Sequence, residues 1–222
     1  MTLLEQIAEK IGAIRYEDLP HEAIDWAKAA ILDTVGVTLA GSGEDCARIV
    51  EQTLGSTRGE CLIFGGDHRM GPLDAALING TAAHALDYDD VSNSLGGHPS
   101  APILPALFAL AETQDCTGVA FITAYVAGFE TETRIARGVH FHHYEKGWHP
   151  TATLGVFGAT AVLPPNGALH CADRAGACHR RVVRERPQSE FRHDDQAPAC
   201  RPHRAQRSLR GDAGQGRLYR EP

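Results

Sequence analysis

The chain has 222 residues, 43% of them apolar, a length and composition suited to one large globular domain or two small ones. Its formal net charge of −7 argues against a whole-protein nucleic-acid binder. No run of about 18 apolar residues is available to span a membrane, and Met1-Thr-Leu-Leu-Glu-Gln lacks the basic start and apolar core of a signal peptide. Six cysteines stand at 46, 61, 116, 171, 178 and 200 with no CxxC pair, which makes a reducing cytoplasm the expected location.

Leu3, Leu4, Ile7, Ile11 and Ile14 recur at helical spacing, so residues 2–14 read as an amphipathic helix. Asp18-Leu-Pro20 signals the start of the next, with Ile24, Ala27, Ile31 and Val35 on one face and small residues from Gly36 to Gly43 at its end. Cys46–Leu54 fits a third helix. Glu60–Phe64 reads as a short strand or extended segment, followed by a turn at Gly65-Gly-Asp-His. Pro72–Leu86 reads as a helix carrying Asn79, Gly80 and His84, and Gly118–Ile135 as another, before a His-rich loop over 140–149. The expected body is all-α, with short connections.

Between these helices lies the stretch that carries chemistry. His84-Ala-Leu-Asp87-Tyr-Asp89-Asp90 and His98-Pro-Ser100-Ala-Pro102 put two imidazoles and three carboxylates within fifteen residues, ahead of an apolar segment from Ile103. The start recurs as His149-Pro-Thr151-Ala before the apolar run from Thr153 to Val162. Ser100 and Thr151 are good helix N-caps, and Pro102 suits a first turn. A buried helix start offers free N–H groups and partial positive charge to an anion, and an imidazole beside it is disposed to accept a proton. The aspartates are suited to orient that imidazole or to carry protons themselves. Together these parts point to proton abstraction from a small carboxylate-bearing substrate. Read singly, each aspartate is as well explained as a solvated loop carboxylate, and each histidine as a capping or packing residue. The repetition of the start is what favours the functional reading.

Ile31-Leu-Asp-Thr-Val-Gly-Val, Asn79-Gly-Thr-Ala-Ala-His-Ala-Leu-Asp-Tyr-Asp-Asp, His98-Pro-Ser-Ala-Pro, Ala124-Tyr-Val-Ala-Gly-Phe-Glu and Gly147-Trp-His-Pro-Thr-Ala-Thr, in this order, resemble the MmgE/PrpD family. That family includes 2-methylcitrate dehydratase and cis-aconitate decarboxylase. The resemblance runs from the N-terminus to about Val162. It implies an all-helical main domain, a smaller α+β domain further along, homodimers, and lyase chemistry on tricarboxylates without metal, iron–sulfur cluster or other cofactor. It places Asp87, His98 and His149 as catalytic residues; Asp90, Ser100 and Thr151, beside them at the two helix starts, are the expected substrate-binding residues. Val91 stands where the decarboxylase members carry a Thr, so dehydration of the 2-methylcitrate type is the first expectation and decarboxylation the alternative.

After residue 162 the pattern stops. Residues 1–162 hold 9 Lys and Arg against 21 Asp and Glu, whereas 163–222 hold 12 Arg, no Lys and 7 acids, a tail rich in Pro and Gly that is expected to be disordered. A shifted reading frame accounts for the change. Read one nucleotide into each codon, the segment around His193, Asp194, Asp195, Gln196 and Ala197 permits Asn-Phe-Gly-Thr-Met-Thr-Lys-Pro-Leu-His, which resembles the family motif that supplies an active-site Lys. The expected organisation is therefore an incomplete helical domain over 1–162 and a frameshifted tail over 163–222, in a product expected to be inactive and poorly folded.

Two other function classes fit parts of the sequence. Asp89-Asp90-Val-Ser-Asn93 resembles a helical diphosphate–magnesium motif, although no second acidic motif accompanies it. A non-catalytic helical fragment that dimerises is the other. His140, His142 and His143 lack a matched ligand set and are expected on a surface loop.

Overall fold

The structure, a computed structural model, describes residues 1–55, 58–114, 116–139 and 142–162. The tail over 163–222, with Cys171, Cys178 and Cys200, lies outside the described residues, as does His140. The described chain is a helical domain with one two-stranded antiparallel sheet, in agreement with the all-α expectation. No helix among the described residues is long and apolar enough to cross a membrane.

Helix α1 (Leu3–Gly12) opens on a capping box. Thr2 Oγ1 accepts from the Glu5 N–H, and the Glu5 carboxylate accepts from the Thr2 N–H at 2.7 Å. Its apolar face is only lightly covered, since none of its residues is buried and Leu3 and Leu4 stay exposed. Pro20 forms the cap of α2 (His21–Gly41), which buries Ile24 and Ala27. Gly41 packs against α4 (Pro72–His84): a Cβ there would lie 2.1 Å from the Ala82 carbonyl oxygen, so only glycine allows this crossing. Between them come α3 (Asp45–Leu54) and the pair β1 (Cys61–Leu62) and β2 (Arg69–Met70), with Cys61 opposite Met70. Asn79 of α4 extends that small sheet. Its side-chain oxygen accepts from the Phe64 N–H and its amide donates to the Leu62 carbonyl, both at 2.9 Å. A buried amide placed so satisfies two backbone groups that a third strand would otherwise meet.

The central element is α5 (Ser100–Glu112), apolar all round because it is enclosed by α4, α2, α6 (Gly118–Val139) and α9 (Gly155–Ala161). Ile103, Leu104 and Leu107 are fully buried and pack with Ala27, Tyr125 and Val162. Each such side chain contributes roughly 1.5–3 kcal/mol. The α6–α9 crossing is tight, since a Cβ on Gly158 would meet Ile103 Cδ1 at 2.9 Å and Glu132 Oε2 at 2.7 Å. The His-rich region expected as a loop contains a helical turn, α7 (His142–Glu145), before the four-residue α8 (Pro150–Thr153). Its four residues close one turn on their own backbone, which the string of histidines does not advertise.

Candidate functional site

Helix α4 ends at His84, and the chain turns back at once. Asp87 sits at φ 55°, a left-handed conformation that an aspartate tolerates better than most residues. That reversal returns Asp89 beneath the end of α4, where its carboxylate is fully enclosed. Both oxygens lie 3.0 Å from His84 Nδ1, so this nitrogen carries a proton and divides it between them. Asp89 also receives His98. Nδ1 of that ring is 3.2 Å from the Asp89 carbonyl oxygen and 3.3 Å from Oδ1, both acceptors, which fixes a proton on Nδ1. The other nitrogen, Nε2, faces Asp87 Oδ1 at 3.3 Å. His98 thus presents Nε2 to an exposed carboxylate at the mouth of the cluster, while a buried one holds its back.

The second His-Pro start is pressed against the first. Thr151 Oγ1 accepts from the His98 N–H at 2.9 Å, and a Cβ on Gly97 would stand 2.8 Å from that oxygen, so the two segments meet where Gly97 leaves room. His149 caps α8, and its ring centroid lies 5.7 Å from that of His84, which in turn is 4.7 Å from His98. Three imidazoles therefore gather with His84 between the other two. Asp87, His98 and His149 are all at this place. His84 and Asp89 join them; the sequence offered Asp89 with its neighbours as a carboxylate able to orient an imidazole, but singled out neither residue for the site. The signal for His84 was its position at the C-terminal end of a helix just before the aspartates. Nothing local distinguished Asp89 from Asp90.

Ser100 and Thr151 are not the N-caps that their residue types suggested. Pro99 is already in the helical region, at φ −74° and ψ −37°, so Ser100 is the first residue of α5 and makes no side-chain cap bond. Pro150 likewise moves the cap to His149. The anion at the start of α5 is Asp90 itself: Oδ1 accepts the Ser100 N–H at 3.1 Å and Oδ2 accepts its hydroxyl at 2.6 Å. With that proton spent on the carboxylate, Ser100 Oγ accepts from the Tyr125 hydroxyl at 2.7 Å. Burial pushes the Asp90 carboxyl above its ordinary value, with the Ser100 bonds opposing and the Asp89 and Asp33 charges adding to the rise. Burial likewise raises Tyr125. Asp90, Ser100 and Thr151, the residues expected on the substrate, are thus joined by hydrogen bonds to each other or to the backbone of His98.

The diphosphate–magnesium reading loses its geometric basis. Residues 89–93 are not helical, and Asp89 and Asp90 turn to different partners, the imidazoles and Ser100. Among the described residues the one grouping able to hold a metal is His84, Asp87, Asp89 and His98, with one donor atom from each and all within 4.8 Å. His142 and His143 are outside it, on Glu145 and Thr153 respectively. A cavity of about 760 Å³ opens on the other side of Asp90, between Trp26 and Asp33 of α2 and Tyr125 and Phe129 of α6.

Comparison with known proteins places this arrangement. Human cis-aconitate decarboxylase is 30% identical over 172 residues, covering 72% of this chain and 35% of the human protein. The cis-aconitate decarboxylase-like protein oryM of Aspergillus oryzae is 29% identical over 169 residues, covering 71% and 35%. Cis-aconitate decarboxylase of Aspergillus terreus is 29% identical over 161 residues, covering 69% and 32%. The chain spans about a third of the length of these relatives. The family model described as the MmgE/PrpD N-terminal domain matches residues 5–165, and by that match, over most of its length, the chain belongs to the MmgE/PrpD family.

Proposed function

We propose that this helical domain carries the proton-transfer part of a metal-free lyase site for a small tricarboxylate, in the first reading a dehydratase of the 2-methylcitrate type. The observation that carries the proposal is the His98 ring set between two carboxylates, the buried Asp89 on Nδ1 and the exposed Asp87 on Nε2. A base so held takes a proton from the carbon next to a substrate carboxylate. The electron pair forms the double bond, and the β-hydroxyl leaves as water with a proton from an acid such as His149. The second reading is decarboxylation, favoured by the similarity to two cis-aconitate decarboxylases and a decarboxylase-like protein. There the bond to one carboxylate breaks, carbon dioxide leaves, and the carbanion takes a proton from the same cluster.

The remaining parts of the proposal concern the whole protein: a cytoplasmic homodimer whose active-site Lys is encoded in the alternative frame beyond residue 162. Resequencing the DNA across codons 155–170 from an independent preparation tests the frame, and sedimentation tests the dimer. The frame-restored protein is then assayed on 2-methylcitrate and on cis-aconitate. Turnover of the first supports dehydration, and turnover of the second supports decarboxylation. His98→Ala is expected to lower either by 10²–10⁴-fold. Turnover of neither, or no effect of His98→Ala, sinks the proposal.

A further inference from the structure

The cavity of about 760 Å³ on the other side of Asp90 takes no part in the lyase reading. Buried Ala27 of α2 and Tyr125 of α6 line it, together with Trp26 and Phe129. Its volume is that of a small-molecule site, and an apolar, aromatic lining with a few polar groups is the usual make-up of one. Trp26 is 76% exposed, so a large indole is left in water at the edge of a space that a ligand could fill.

The charges that line the cavity are of one sign. Asp33, Asp90 and Glu130 are carboxylates, and no Lys, Arg or His is among the described residues of the lining. Glu130 is paired with Arg134, one turn along α6. Asp90 has no such cation: it bonds the neutral N–H and hydroxyl of Ser100, and the Asp33 charge helps to raise its carboxyl. An anion entering the cavity meets that repulsion, and a neutral apolar molecule strips water from the carboxylates without compensation. A bare metal ion finds too few oxygens amid apolar walls. A cation with an apolar body suits both features, since its charge offsets the carboxylates and its body covers the aromatic rings.

We propose that this cavity binds a small organic ammonium ion, its charge towards Asp33 and Asp90 and its apolar body against Trp26 and Phe129. The site prefers the charge opposite to that of a tricarboxylate and uses none of the imidazoles, so its test stands or falls apart from the lyase reading.

The full chain is titrated by isothermal calorimetry at neutral pH with phenethylammonium, with neutral 2-phenylethanol and with anionic phenylacetate. The expected result is a single site that binds the ammonium about tenfold more tightly than the alcohol, with phenylacetate weakest. Asp33→Asn is expected to reduce that preference by about threefold, and Trp26→Ala to weaken ammonium and alcohol alike by about fivefold. Both residues are exposed, so neither substitution opens the core, and circular dichroism checks that the helices remain. Asp87→Asn, at the carboxylate beside His98, is expected to leave uptake unchanged. Alcohol bound as tightly as the ammonium overturns the proposal, as does uptake that survives both Asp33→Asn and Trp26→Ala. No uptake by the unsubstituted chain overturns it too. Uptake that falls as the chain self-associates in sedimentation runs gives the cavity to a second copy and has the same consequence.

Discussion

The loop into α5 and the crossing of α6 with α9 treat carboxylates in opposite ways. In the loop, Asp89 and Asp90 are enclosed or half-enclosed, and every oxygen has a partner. At the crossing, Glu132 is completely buried and neither oxygen has a hydrogen-bond partner among the described residues. Its surroundings are Gly155, Gly158 and apolar side chains of α5, and its carboxyl is pushed up to about 9 by burial and then by the Asp90 charge. The lesson is that enclosure alone does not mark a working carboxylate. What marks the loop is convergence of donors, and its absence at Glu132 makes that residue a liability to stability.

The largest effect that follows concerns Glu132. Its folded value of about 9 lies above the ordinary 4.5, so between these limits the folded chain holds a proton that the unfolded chain has lost. Stability therefore falls as pH rises through that window and levels off above it. Glu132→Gln is expected to flatten the dependence and to add on the order of 3 kcal/mol at pH 7. Urea unfolding at several pH values measures this. Equal slopes for both proteins would mean that the carboxyl finds a partner in solution.

Asp90 sharpens the contrast from the paired side. Asp90→Ala strands the N–H of the fully buried Ser100, leaves its hydroxyl with Tyr125 alone, and is expected to cost about 2 kcal/mol. Asp90→Asn is expected to cost less than about 1 kcal/mol. Its oxygen still accepts the Ser100 N–H, its amide donates to Ser100 Oγ, and Ser100 then donates to Tyr125. If both substitutions cost the same, the charge rather than the bonding holds the start of α5. Gly158→Ala, which drives a methyl into Ile103 and Glu132, is expected to cost about 1–2 kcal/mol by the same unfolding measurement.

The legible part of the fold was the part set by local periodicity. Helices α1 to α4 and α6 lie within a few residues of their expected bounds, as with α4 closing at His84 rather than Leu86, whereas α5 is apolar all round and shows no face in its spacing. Caps were less legible, because Pro99 had already entered the helix and the stabilising carboxylate came from ten residues upstream. The site divides in the same way. Asp87, His98 and His149 could be named from the motifs, but the choice of Asp89 over Asp90 for the imidazoles depends on the backbone reversal at Asp87. Residue type alone carries no trace of that reversal. Glu132 was unreadable for a related reason: its place on α6 shows burial only once α9 has packed across it.

The smallest expected stability change falls at Asp87, and there fold and chemistry separate most cleanly. At φ 55° an aspartate is mildly strained, and a Cβ without polar compensation is worse placed. Asp87→Ala is therefore expected to destabilise by about 1 kcal/mol. Asp87→Gly sheds the strain but gains freedom in the unfolded chain, so its net change is expected within about 0.5 kcal/mol of zero. Both variants remove the carboxylate 3.3 Å from His98 Nε2. In the frame-restored protein they are thus expected to lose turnover alike, by roughly 10²-fold or more, while differing in urea midpoint. A Gly variant that keeps full turnover would assign Asp87 to the backbone turn and leave the proton chemistry to the imidazoles.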